Sequence, residues 1–329
     1  MSDLRVSLAC GAYDRTAPLR DGRVKPKGID LTYLTVGPAE IFWRQMKYEE
    51  FDACELALSS YIIELSRGES RFVGIPVFPS RVFRRAYIFV NVDSGIERPE
   101  DLKGKRVGIP EFHMTAALFI RGYLSDDYGV TAEDIEWVQG GQTKPGRKER
   151  IELRLPPSIR IRHEPHRTIE DLLLAGEIDA ILGAYTPQCF VDGDPRVRRL
   201  FDDPAALDRE AWKRTGIFPI MHLIAVRREF HERHPWVATN LRDAFEEARR
   251  VTLEDLSDHG ASSSMLPFFQ LEMERTIAEF GPDFWPYGVE PNRATLEAAL
   301  RYAHEQKLAE RLVGIEELFP PSLLARHVD

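Results

Sequence analysis

Three arginines crowd into Pro79-Ser80-Arg81-Val82-Phe83-Arg84-Arg85, next to the aromatic rings of Phe78 and Phe83. A guanidinium grips a carboxylate through two parallel hydrogen bonds, so Arg81 and Arg84, three residues apart, suit an aromatic dianion. The same residues also fit a solvated edge with snorkelling arginines. His222 follows Pro219-Ile220-Met221 and leads an apolar run. An imidazole changes charge near neutral pH and can hand over a proton, although a histidine in such a setting is more often a packed core residue. Glu111, His113 and Thr115 put an acid, an imidazole and a hydroxyl on one lip, between an apolar strand at Arg106–Ile109 and a helix opening near Thr115. The first N–H groups of a helix lack intrahelical partners and carry positive partial charge, so a carboxylate can dock there. The plainer alternative is a βα turn capped by Thr115. Asp14-Arg15-Thr16 and Ser59-Ser60 are two further polar groups at the ends of apolar runs.

The elements that must position these residues follow from periodicity. Residues 4–10, 29–36, 51–58, 72–78, 86–92, 106–109, 135–138, 178–182, 197–200 and 223–226 read as strands. Helical spacing alternates with them at 38–48, 61–67, 115–128 and 169–175, and the pattern after Arg228 is almost wholly helical, through 235–253, 265–280, 293–305 and 308–313. Residues 140–166 read as loop with at most short strands. Strands alternating with helices predict an α/β protein with mostly parallel sheets. The helical tail is expected to pack on the early sheet. That gives lobe I as residues 1–91 with 225–329, lobe II as 92–224, two crossings as a hinge, and a ligand cleft between them lined by strand-exit loops.

The chain has 329 residues, with 44 basic and 53 acidic side chains and a formal net charge of −9. That balance argues against nucleic acid or an anionic membrane as partner, and no apolar run approaches the roughly 20 residues that span a bilayer. No basic and apolar leader precedes Cys10, so a cytoplasmic location is expected. Cys10, Cys54 and Cys189 are too irregularly spaced for a disulfide framework or a zinc site and read as buried thiols. His163, His166, His231 and His234 read as solvent-exposed, with no metal cluster among them. Phosphate-loop, dinucleotide, nucleophile-elbow and zinc-helix signatures are absent, and Gly140-Gly141 lacks the rest of a nucleotide fingerprint.

In their joint order, Tyr13-Asp14-Arg15-Thr16, Phe78 to Arg84, Asp101-Leu102-Lys103-Gly104-Lys105, Met114-Thr115-Ala116-Ala117, Pro219-Ile220-Met221-His222 and Trp285-Pro286-Tyr287-Gly288 resemble the 4,5-dihydroxyphthalate decarboxylase family. The resemblance runs nearly end to end, to Glu316-Glu317-Leu318-Phe319; Gly183-Ala184-Tyr185-Thr186-Pro187 departs from it, where an arginine and a second proline are expected. It implies a type II periplasmic-binding-protein-like fold in a cytoplasmic lyase of aromatic-acid breakdown, with no organic cofactor. The implied reaction is non-oxidative loss of one carboxylate from 4,5-dihydroxyphthalate to give 3,4-dihydroxybenzoate. In that scheme His222 protonates the ring carbon, and Glu111 is its partner or the acceptor for the phenol. Arg81 and Arg84 hold the carboxylates. Ser59, Ser60, Thr115 and His113 add contacts, and Asp14 or Arg15 closes the pocket from the first lobe. The partner is a small aromatic carboxylate, no metal is assigned, and a homodimer through the helical tail is the assembly considered. The alternatives are a non-catalytic aromatic-acid binder, a decarboxylase of a related acid, or a thiamine-pyrimidine-type synthase, for which the histidine-rich motif is missing.

Overall fold

The computed structural model describes residues 3–257 and 264–324. Eleven strands in those residues form two sheets: β1 (Leu4–Cys10), β2 (Ile29–Thr35), β3 (Ala53–Ala57), β4 (Phe72–Arg81), β5 (Ile88–Asn91), β6 (Arg106–Ile109), β7 (Glu136–Gly140), β8 (Arg160–Glu164), β9 (Ala180–Leu182), β10 (Val197–Arg199) and β11 (Ile220–Arg227). The first sheet runs β2-β1-β3-β11-β4 and the second β10-β5-β9-β6-β7-β8. In the first, β1 is parallel to β2 and β3, while β11 runs antiparallel to both β3 and β4. The two prolines of β4, Pro76 and Pro79, are tolerated because β4 is an edge strand. In the second, β6 is parallel to β7 and β9, and β5 is antiparallel to β9 and β10.

This pairing corrects the expected lobe boundaries. β5 hydrogen-bonds only to second-sheet strands, and β11 begins at Ile220 inside the first sheet. The chain therefore crosses between sheets after Arg81 and again ahead of Ile220, and not near Asn91 and Ala225. His222, expected in a loop before a strand starting at 223, lies within β11.

The helical tail packs on the first half, as expected, and one of its helices reaches the second half as well. The helix Trp236–Leu256 buries Val237, Leu241, Phe245 and Ala248 at helical spacing and packs on β4 and on residues 14–20. The helix Arg293–Glu305 instead straddles both halves, touching Leu58–Ser66 behind the first sheet and Thr115–Tyr128 behind the second. Gly122 makes that approach possible, since a Cβ there would sit 2.3 Å from the Tyr302 ring. Residues 308–313, expected as helix, are irregular. Lys307 adopts a left-handed conformation (φ 61°) that ends the preceding helix. The parts of the expected tail at 258–263 and 325–329 lie outside the described residues. All three cysteines are free and buried, and no helix in the described residues is long and apolar enough to cross a membrane.

Candidate active site

The strand directions put the C-terminal ends of β1, β3 and β4 and the N-terminal end of β11 along one edge of the first sheet. The C-terminal ends of β6 and β9 share one edge of the second. These edges meet at the openings of two helices. The Ser59 N–H donates to Thr115 Oγ1 at 3.2 Å, and the two side-chain hydroxyls lie 3.0 Å apart. Both residues are buried in first helical turns, and Ser60 lies in the same turn as Ser59.

His222 pairs across the backbone with Ala57 and Ser80. Side chains two apart on a strand share a face, so the imidazole meets Glu55, two residues before Ala57: Nδ1 lies 2.5 Å from Glu55 Oε1. Glu55 is fully buried in the otherwise apolar Ala-Cys-Glu-Leu-Ala of β3. A buried carboxylate needs partners. This one also accepts from the Tyr13 hydroxyl (2.7 Å), the Gly11 N–H (2.9 Å) and Cys10 Sγ (3.6 Å). Burial alone would raise its pKa; the His222 charge and hydrogen bond, with the Tyr13 and Gly11 donors, outweigh it and hold the group below the ordinary carboxylate value. With Nδ1 engaged, Nε2 is the ring nitrogen left to act. The imidazole packs against Phe42 in a T-shaped contact, ring centroids 4.8 Å apart.

Glu111 is therefore not the partner of His222. Its Oε1 takes Arg147 Nε at 2.6 Å and Arg150 Nη2 at 3.0 Å, and its Oε2 lies 3.5 Å from His113 Nε2. His113 Nδ1 pairs in turn with Glu149, which also accepts the Phe112 N–H at 2.5 Å. Glu111, His113 and Glu149 hold ligand atoms within 4.8 Å of one another. A cation there would have to displace guanidinium groups that already neutralise Glu111, so the set is poorly suited to a metal.

Sequence reasoning missed Glu55, Arg147, Glu149 and Arg150. The first had a readable signal, a single charge inside an apolar strand. The others lie in a charge-dense stretch where nothing distinguishes a site arginine from a solvated one. That stretch spans the two halves. It leaves β7 in the second sheet, while Arg67 of the first half donates to the Glu152 carbonyl at 2.9 Å and Arg154 pairs with Glu310 (2.9 Å) and Glu69 (3.4 Å). Ile151, Leu153 and Leu155 pack against the main core. Residues 147–155 thus form a strap between the two halves.

The predicted arginines fall into different surroundings. Among the described residues no carboxylate pairs with Arg81 or Arg84, whereas Arg85 is tied to Asp208 (2.8 Å) and Asp127 (2.6 Å). Arg84 donates to the Ala184 carbonyl (3.1 Å) and Met221 Sδ (3.2 Å), and burial lowers its pKa to about 10. Arg81 spends its donors on the Phe218 and Pro286 carbonyls at 3.1 and 3.4 Å and lies over the Phe218 ring. Its Nε is enclosed without a partner, and burial lowers its pKa to about 9. Arg15 donates to the Pro79 carbonyl (2.7 Å) and to Asp14 (2.9 Å) and lies between the Tyr13 and Trp285 rings. Asp14 is thereby a partner of Arg15, at the rim. His163 and His166 are exposed as expected, while His231 and His234 are half-buried, the latter against the Phe230 ring.

The arrangement supplies an oriented imidazole, buried guanidinium groups without protein counterions, and two helix openings, which suits proton delivery to a bound carboxylate-bearing ring. The NMT1/THI5-like family model matches residues 84–146. The aliphatic sulphonate-binding protein SsuA of Escherichia coli superposes with a TM-score of 0.54 at 15% identity, covering 98% of this chain and 99% of that one. The alkanesulfonate-binding SsuA of Xanthomonas axonopodis pv. citri gives 0.52 at 15%, over 95% and 96%. These likenesses establish the periplasmic-binding-protein-like fold. A 4,5-dihydroxyphthalate decarboxylase of Comamonas testosteroni is 42% identical over 98% of both chains, and one of Pseudomonas putida is 42% identical over 62% of this chain and 80% of that protein. With that identity sustained along nearly its whole length, the chain belongs to the 4,5-dihydroxyphthalate decarboxylase family.

Proposed function

We propose that the protein removes one carboxylate from 4,5-dihydroxyphthalate, giving 3,4-dihydroxybenzoate and carbon dioxide. The observation that carries this reading is the His222–Glu55 pair at the same sheet edge as Arg84, a buried arginine with no protein carboxylate. Each ring hydroxyl lies para to a carboxylate and raises electron density on the carbon that bears it. Protonated His222, aligned by Glu55, delivers H⁺ from Nε2 to that carbon. The C–COO⁻ bond then breaks, its electron pair restores the aromatic ring, and CO2 leaves. Arg84 and the openings of the helices at Ser59 and Thr115 stabilise the anionic substrate, and the two halves close on it as lobes about the crossings near residues 82–87 and 216–219.

The same reading places the enzyme in the cytoplasm, where free buried thiols such as Cys10, Cys54 and Cys189 persist, with a small aromatic carboxylate as its partner. A homodimer through the tail would cover the exposed Leu266, Phe268 and Leu271, and sedimentation velocity tests it.

Incubation with 4,5-dihydroxyphthalate and measurement of carbon dioxide and 3,4-dihydroxybenzoate is the direct test. His222→Ala should lower turnover about 10²–10⁴-fold, the usual worth of a positioned general acid, while largely sparing substrate binding. An unchanged rate in that variant removes His222 from the mechanism. A tight complex without turnover in the wild type would favour a solute binder, the function named for the structural neighbours.

A further inference from the structure

We propose that Arg150, carried into the cleft by the strap, anchors the carboxylate that the substrate keeps. The proposal rests on the decarboxylase reading and names a specificity-determining residue for it.

Arg150 is half-buried, its side chain 16% exposed, and its guanidinium lies over the Phe42 ring, 5.6 Å from the centroid. Phe42 is the same ring that meets His222 in a T-shaped contact. Proton donor and guanidinium therefore share one aromatic neighbour although they come from opposite halves of the molecule. Only Arg150 Nη2 is engaged, by Glu111; Nε and Nη1 have no hydrogen-bond partner among the described residues. Glu111 is already held by Arg147 at 2.6 Å, so it orients Arg150 without consuming its charge. A second anion can take the remaining donors side by side.

Chemistry decides which carboxylate that is. An ion pair to the departing group stabilises a charge that disappears as CO2 forms, which would favour the ground state over the transition state. An ion pair to the retained group is the same before and after the chemical step. Arg150 as an anchor of the retained carboxylate should thus act on affinity and hardly on turnover.

The test uses the full-length chain and its Arg150→Ala, Arg150→Lys and Arg154→Ala variants. Binding of 3,4-dihydroxybenzoate and of catechol is measured by calorimetry, and turnover of 4,5-dihydroxyphthalate by carbon dioxide release. In Arg150→Ala the affinity for 3,4-dihydroxybenzoate should fall about 10- to 100-fold, as for loss of a charge-assisted hydrogen bond. KM should rise in parallel, kcat should stay within a few-fold, and catechol, which has no carboxylate, should bind as before. Arg150→Lys should recover part of the loss. Arg154→Ala, which releases the strap's outer anchor without touching the guanidinium, should not discriminate between the two ligands. Undiminished 3,4-dihydroxybenzoate affinity in Arg150→Ala overturns the proposal, as does an equal loss for catechol, which would mark a merely structural role. If either occurs while the wild type turns over substrate, the decarboxylase reading stands. A wild type that neither binds these compounds nor turns over 4,5-dihydroxyphthalate overturns both.

Discussion

Glu55 decides how the imidazole behaves. It is buried, accepts hydrogen bonds from Gly11 and Tyr13 of the turn after β1, and fixes one ring nitrogen of His222 on β11. Glu55→Gln keeps the shape and removes the charge, so turnover should drop by about 10²-fold or more, within the range set by loss of the acid itself. The pH dependence of stability gives an independent reading. The folded-state pKa of Glu55 lies below its ordinary value of 4.5. Its ionised form therefore adds stability that is complete above that value and is lost as pH falls through the folded pKa. Melting curves of wild type and Glu55→Gln should converge as acid is added; a constant gap down to the lowest pH would contradict the ionised pair. His222 was legible in sequence because Pro219-Ile220-Met221-His222 is a distinctive string. Its partner was not, because Glu55 and His222 are 167 residues apart and only the antiparallel register of β3 with β11 brings them together.

The strap is the element that carries Arg150 and bridges the two halves. Its opening turn needs glycine: a Cβ on Gly141 would lie 1.7 Å from the Lys144 carbonyl oxygen. That contact explains Gly141 without a nucleotide. Gly141→Ala should force the turn apart, with strain of about 1–3 kcal/mol, and displace Arg147, Glu149 and Arg150 together. The expected outcome is a raised KM with a smaller change in melting temperature, since the strap lies outside both sheets; a normal KM would show that the turn does not set the site. The sequence pattern over residues 140–166 predicts loop with at most short strands, and β8 is the strand that begins there. Their role stayed hidden because a loop's path depends on distant anchors. Here those anchors are Arg67, Glu69 and Glu310, all in the other half.

At the scale of the whole molecule, alternation of strands and helices was enough to foresee two α/β halves, because each sheet is built from locally readable units. It could not say which half a tail helix would cover, since an apolar stripe such as Leu296, Ala299, Leu300 and Ala303 fits either. The helix Arg293–Glu305 covers both, and its link to the second half is specific. Asp126 accepts from Arg301 at 2.6 and 2.9 Å and from the Tyr302 hydroxyl at 2.7 Å. Desolvation opposes the charge on Asp126, but those donors outweigh it and hold its pKa below the ordinary 3.8. The stability it contributes is then present above that value and disappears as pH falls through the folded pKa. Asp126→Asn should lower the melting temperature at pH 7, by roughly 2 °C for each kcal/mol lost, out of the 1.5–3 kcal/mol typical of about one hydrogen bond to a charged group. The deficit should shrink below pH 4 as the wild-type carboxyl is protonated. Because the same helix ties the halves together behind the cleft, the variant should also open more readily, seen as faster hydrogen exchange at Ser59 and Thr115. A variant with unaltered melting at neutral pH and unaltered exchange would mean that this bridge is a solvated surface pair and that the halves are held by the crossing segments and the strap alone.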